Sequence, residues 1–229
     1  MIPRRLGTRR EPLLLALLVG SLWGCGASAP PSTTPARRLT GEAALEDDEA
    51  PRFVVGDLAL PEPPASVDAD DPALEPVLRH ARELLARELP VPEDSMSSAD
   101  TSAFVEGRFA GWMNATAQGI RALWDAMQGL TTRVLGAHVV ARAITGSTMW
   151  ALAARIDAWP LPAAVRADAS LSAGIRDALE NASRPMRERA IQAFGACASA
   201  AVGSADPTLD EWRLYCDHES ERAQSPRHE

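Results

Sequence analysis

The chain has 229 residues, a formal net charge of -8 and 23 basic residues that are all arginine. An acidic protein without a basic surplus does not suit a phosphate backbone, which excludes nucleic-acid binding as the expected class. Hydrophobic residues make up 46% and aromatic residues 5%, with one tyrosine, a composition that suits packed helices better than a β-sandwich and allows one domain with a sizeable core.

The chain opens with Arg4, Arg5, Arg9 and Arg10, passes through Leu13, Leu14, Leu15, Leu17, Leu18 and Val19, and reaches Leu22-Trp23-Gly24-Cys25. Charge, then an apolar run, then small residues is the order of a secretory signal. A transmembrane span needs about 20 apolar residues, more than this run supplies. Leu22 to Cys25 resembles the lipobox of bacterial lipoproteins; the alternative is an ordinary cleaved signal with a chance cysteine. The resemblance implies that residues 1–24 are a removed signal peptide. It also implies that Cys25 is the lipidation site, carrying acyl chains such as palmitate that hold the protein on a membrane without spanning it. In such lipoproteins an aspartate after the cysteine retains the protein in the inner membrane. Gly26 stands there, so the resemblance implies an outer-membrane anchor facing the periplasm. Thr8-Arg9-Arg10 also looks like a twin-arginine export address, but the leucine density favours the general secretory route.

Residues 25–71 form the next expected unit, a lipid-anchored, disordered linker. Its markers are Gly26 to Pro35, the acidic Glu46-Asp47-Asp48-Glu49, the Pro61-Glu62-Pro63-Pro64 cluster and Asp70-Asp71, none with an apolar period. Phe53 to Leu60 interrupts it as a strand, a docking segment or an apolar stretch without structure. The last is favoured, because an isolated strand has no partner. Removing residues 28–70 is therefore expected to leave thermal unfolding nearly unchanged.

Helical patterning starts at Asp71-Pro72, a capping carboxylate followed by a proline suited to the first turn, with Pro76 able to delay the start by a turn. Leu74, Val77, Leu78, Ala81, Leu84 and Leu85 make the apolar stripe. Glu75 with Arg79, and Glu83 with Arg87, are spaced as helical ion pairs on the wet side. From Asp100 a stripe of Val105, Phe109, Trp112, Met113, Thr116, Ile120, Leu123, Trp124, Met127, Leu130 and Val134 predicts a helix about 45 Å long, with Gly119 and Gly129 as the places where it could break. Gly107 and Gly111 have the spacing of close helix contacts. Leu135-Gly136-Ala137 is the expected reversal, and the following helix should end by Trp159, before Pro160. The last third reads as three helices: Asn181 to Pro185 joins or kinks the first two, and Gly203 to Pro207 separates the last two. The expected fold over residues 72–221 is all-α, a helical bundle or a hairpin stack of long antiparallel helices. Residues 222–229 are a polar tail.

No phosphate-binding loop, metalloprotease helix, nucleophile elbow or Cys-x-x-Cys pair is present. Cys216-Asp217-His218 places cysteine and histidine two apart, on opposite sides of a helix. His80, His138, His218 and His228 show no zinc-type spacing. No catalytic residue, metal or cofactor is expected, and the protein is read as a non-enzyme. Export to an oxidising compartment, with Cys25 lipidated, leaves an even pair of cysteines, Cys197 and Cys216. Placed either side of the Gly203–Pro207 turn, they differ by roughly 4.5 Å in axial position. Helix tilt absorbs such a mismatch, and small alanines around them allow close approach, so a disulfide is predicted.

Ala190, Ala193-Phe194 and Cys197, followed by Trp212, Leu214 and Cys216, resemble the helical segment that closes many tetratricopeptide-type envelope proteins. No repeat of about 34 residues precedes them here. The resemblance implies a helical interaction module and carries over no catalytic residue. The expected function is a protein-interaction or scaffold role, with the membrane and an envelope protein as partners. The alternatives are an enzyme whose site is assembled from residues distant in sequence, and a structural subunit of an envelope complex.

Overall fold

A computed structural model of the protein describes residues 53–64, 66–67 and 71–225. The expected signal peptide, Cys25, the first part of the expected linker and His228 lie outside the described residues. The fold is all-α with one small hairpin. Its elements are β1 (Phe53–Val55), β2 (Leu58–Leu60), α1 (Glu75–Leu85), α2 (Ser98–Phe104), a π turn (Val105–Phe109), α3 (Ala110–Gln128), α4 (Leu135–Asp157), α5 (Ala163–Arg166), α6 (Ala169–Ala201) and α7 (Pro207–Gln224).

The most buried of these is α4, and its sequence says why. Between Val139 and Ala154 the one charged residue is Arg142, and Val139, Val140, Ala143, Ile144, Met149, Leu152, Ala153 and Ile156 are all buried. A helix that is apolar on every side has to be surrounded by others. Its polar interior positions are satisfied locally. The hydroxyls of Thr145 and Thr148 donate to the carbonyls of Ala141 and Ile144, both at 2.8 Å, so neither is an unpaired group in the core.

The 33-residue α6 lies antiparallel to α4. Near its C-terminus Phe194 sits against Gly146, so close that a Cβ there would meet its ring at 2.8 Å. Nearer its middle, Ser183 donates a hydrogen bond to Asp157 and Arg187 pairs with the same carboxylate at 3.2 Å. This clamp flanks Pro185, which lies inside the helix and, lacking an N–H, cannot bond the carbonyl of Asn181. Sequence patterning left this stretch as a join or a kink. The clamp to α4 carries the helix through it as one unit.

A short turn, with Gly203 at φ +77°, reverses the chain into α7. Asp206 caps that helix by accepting from the Thr208 N–H at 3.0 Å, and Pro207 takes its first position. The helix runs on to Gln224, with Ala223 buried and Arg222 paired to Glu219 at 3.2 Å, so the expected polar tail starts about a turn later.

The linker expectation is corrected for residues 53–67. Phe53 pairs with Leu60 and Val55 with Leu58 in an antiparallel hairpin turned at Gly56, φ +63°. Val55, Leu60 and Val67 are buried in the common core. The hairpin finds its partners in the helices. Arg155 of α4 reaches Asp57 at 2.9 Å and the Leu85 carbonyl at 2.7 Å. Beyond it the chain runs as a strap: the Trp212 indole N–H donates to the Glu62 carbonyl at 2.8 Å, and Val67 rests on Gly136, where a Cβ would meet it at 2.6 Å.

Three helix boundaries differ from the sequence reading. The first helix starts at Glu75, because Asp71 caps a preceding turn instead, accepting from Ala73 N–H at 2.8 Å. It ends at Leu85, so Glu83 and Arg87 no longer share a helical face. Glu83 instead meets His80 at 3.3 Å, and Glu75 meets Arg82 at 3.8 Å. The long helix ends at Gly129, one of the two glycines expected to break it, and the chain turns over 129–134, so Leu135-Gly136-Ala137 opens the next helix and is not the reversal. Gly136 is buried inside α4, where the strap requires a residue without a side chain.

Candidate interaction face

Residues 98–128 form one unbroken rod of α2, the π turn and α3. Ser97 caps it, its hydroxyl accepting from the Asp100 N–H at 3.2 Å. In the π turn, closure five residues on brings Phe104 and Phe109 to the same side, whereas an uninterrupted α-helix would separate them. Both then pack on Trp159, with ring centroids at 6.3 and 5.3 Å, and Phe109 stacks on Trp112 at 6.1 Å. The Trp159 indole donates to the Pro90 carbonyl at 2.8 Å, which ties this aromatic end to the loop after α1.

The buried side of α3 is Trp112, Thr116, Ile120, Leu123 and Met127, as the stripe predicted. Its outer side is unusual in chemistry. Between Phe109 and Ile120 the sequence has no charged residue, and the solvent-facing positions are Gly111, Asn114 and Gln118; further back, exposed Gly107 lies between the exposed charges of Glu106 and Arg108. A Cβ added at Gly107 or Gly111 would meet nothing within 4 Å. The spacing noted in the sequence is therefore not used among the described residues. A surface helix ordinarily carries charge on its wet side, as Asp210, Glu211, Asp217 and Glu221 do on α7.

Cys197 and Cys216 are joined as a disulfide, both fully buried, with Cα atoms 6.1 Å apart. Closing a loop of 19 residues stabilises by about 3 kcal/mol on the chain-entropy account. Beside the bridge, Tyr215 stands edge-on to Phe194 and Trp212 at 6.4 and 6.2 Å and shares a 2.8 Å hydrogen bond with Ser147. Burial pushes its phenol up to about 12; the Ser147 hydrogen bond works the other way, Glu219 adds to the rise and Arg222 offsets it. Leu214, part of the tetratricopeptide-like pattern, points outward and is 59% exposed.

The remaining polar residues hold structure together. His138 contacts the Thr132 carbonyl at 2.9 Å in the turn before α4, and exposed His218 meets Glu219 at 3.3 Å. The Ser183 hydroxyl is fully buried and donates to Asp157, whose second oxygen takes Arg187. Among the described residues no group of three His, Cys, Asp or Glu side chains is placed to hold a metal ion.

Fold and surface together define an all-α domain with a disulfide-closed final hairpin and an uncharged helical face. No family model matches the chain, and no curated protein or solved structure matches it either.

Proposed function

We propose that this protein is a lipid-anchored lipoprotein of the cell envelope, facing the periplasm from the outer membrane, whose helical domain binds another envelope protein. The anchor rests on Arg4 to Cys25 and on Gly26. Among the described residues no helix is long and apolar enough to cross a membrane, which leaves the acylated cysteine as the attachment this reading needs. The observation that carries the binding role is the uncharged stretch on the outer side of α3 from Gly111 to Gln118, bounded by exposed Arg108 and Arg121. Glycines at 107 and 111 let another backbone approach closely, and Asn114 and Gln118 supply hydrogen bonds across such a contact.

Gly107→Arg and Gly111→Arg test this reading cleanly. Both positions open onto empty space, and replacing helical glycine with arginine favours the helix by up to about 1 kcal/mol, so the fold is retained. Affinity-purified full-length protein from crosslinked envelopes should lose its principal partner in both variants while the thermal midpoint holds or rises. Unchanged recovery of the same partner by both variants would remove the α3 face from the account.

A further inference from the structure

In the strap, three of the four residues Pro61-Glu62-Pro63-Pro64 are proline and have no N–H. Such a segment offers its neighbours mainly carbonyls and ring faces, the surface by which proline-rich peptides are recognised in aromatic-lined grooves. The seat of the strap supplies that chemistry. The Trp212 indole, a donor only, gives its N–H to the Glu62 carbonyl at 2.8 Å. Gly136 leaves the room that the strap fills: a Cβ there would meet Val67 at 2.6 Å, Ser66 at 2.9 Å and Pro64 at 3.5 Å. Pro64 and Val67 are buried, whereas Glu62 and Ser66 are exposed. The seat thus reads a main-chain carbonyl, a proline and a small apolar side chain, features that another proline-rich segment can present equally. Its aromatic wall is fixed in advance. Cys216, one turn beyond Trp212 on α7, is bridged to Cys197 of α6, so Trp212 stays in place whether or not the strap covers it.

The strap itself is lightly held. Between Leu60 and Leu74, each 1% exposed, Pro64 and Val67 are the buried positions among the described residues, and no strand among those residues pairs with it. Segments with few buried contacts open locally at a fraction of the global cost, and here both ends stay anchored, by the hairpin and by α1. We propose that the seat between Trp212 and Gly136 is a groove for a proline-rich segment of a partner protein, which the strap occupies in cis as an autoinhibitor. A ligand tethered by a short loop is present at an effective concentration of about millimolar. A partner's segment therefore enters when it binds more tightly than the strap or when the strap is loosened. The groove uses no residue of α3, so it is independent of the face proposed above.

The test is fluorescence anisotropy of a labelled peptide with the sequence of residues 60–67, added to the full-length chain. Val67→Gly removes from the strap a buried side chain that the peptide still carries. The loosened chain should bind the peptide about tenfold more tightly than the natural chain does. Val67→Ala should tighten binding by a smaller factor, and it keeps a folded readout if the glycine variant loses its helical circular dichroism. Adding Gly136→Ala to either variant puts a Cβ where the peptide's valine has to sit, and should abolish the gain. Equal affinity for the natural and loosened chains would overturn the groove. So would a gain that survives Gly136→Ala, because the peptide would then be seated elsewhere. Light scattering should find the natural chain monomeric under the same conditions. A dimer that Val67→Gly dissociates would overturn the cis arrangement, because the strap would then be seated on a second copy.

Discussion

Two single residues report on the packing around α4. Gly146 has Phe194 where a side chain would go, at 2.8 Å, and Phe194 is fully buried. Gly146→Ala should therefore cost about 1–3 kcal/mol by overpacking, even though alanine is the better helix former. Chemical denaturation should show the midpoint falling, and a rise would mean that α4 and α6 are not this close. Tyr215 is the one tyrosine in the sequence, so tyrosinate absorbance reads it alone. Its folded value of about 12 lies above the ordinary 10, so its contribution to stability is fully present below pH 10. That contribution is lost as pH rises from about 10 through 12, because the unfolded chain releases the proton first. Half-titration near pH 10 in the folded protein would show that the phenol is exposed.

At the scale of elements, periodicity and caps made most helices legible. The stripes of α1 and α3 lie largely against the core where their spacing put them, and Asp206-Pro207 opens α7. The errors share a physical cause, which is that the deciding contact lies far along the chain. Phe53 to Leu60 looked unsupported because its partners, Arg155 and Leu85, are supplied by α4 and α1. Gly136 looked like a turn because the strap that needs its missing side chain passes seventy residues earlier in the sequence. The π turn left no mark that a helical period detects. At the candidate face, the spacing of Gly107 and Gly111 and the lack of charge between Phe109 and Ile120 were legible in the sequence, but which side of α3 meets solvent is decided by its packing on the rest of the core. The docked strap reverses the expectation that residues 28–70 are dispensable. Leu60 is 1% exposed, so Leu60→Ala should cost about 2–5 kcal/mol and lower the thermal midpoint by about 5–15 °C. A change within about 1 °C, small beside the expected cost, would show that the hairpin is not part of the folded core.

For the whole molecule, the all-α core, the buried disulfide and the proposed anchor fit one setting. A bridge between Cys197 and Cys216 persists where thiols are oxidised, which is where an exported lipoprotein resides. Partner binding through the α3 face requires the domain to be held there, so the anchor is the claim on which the rest depends. It is tested most directly by fractionating cells that make the natural chain or Cys25→Ala, with mass analysis of the mature amino terminus. The account predicts an acylated Cys25 as the first residue of a membrane-bound protein, and a Cys25→Ala chain that leaves the membrane fraction. A Cys25→Ala chain processed normally and still bound to the membrane would contradict it.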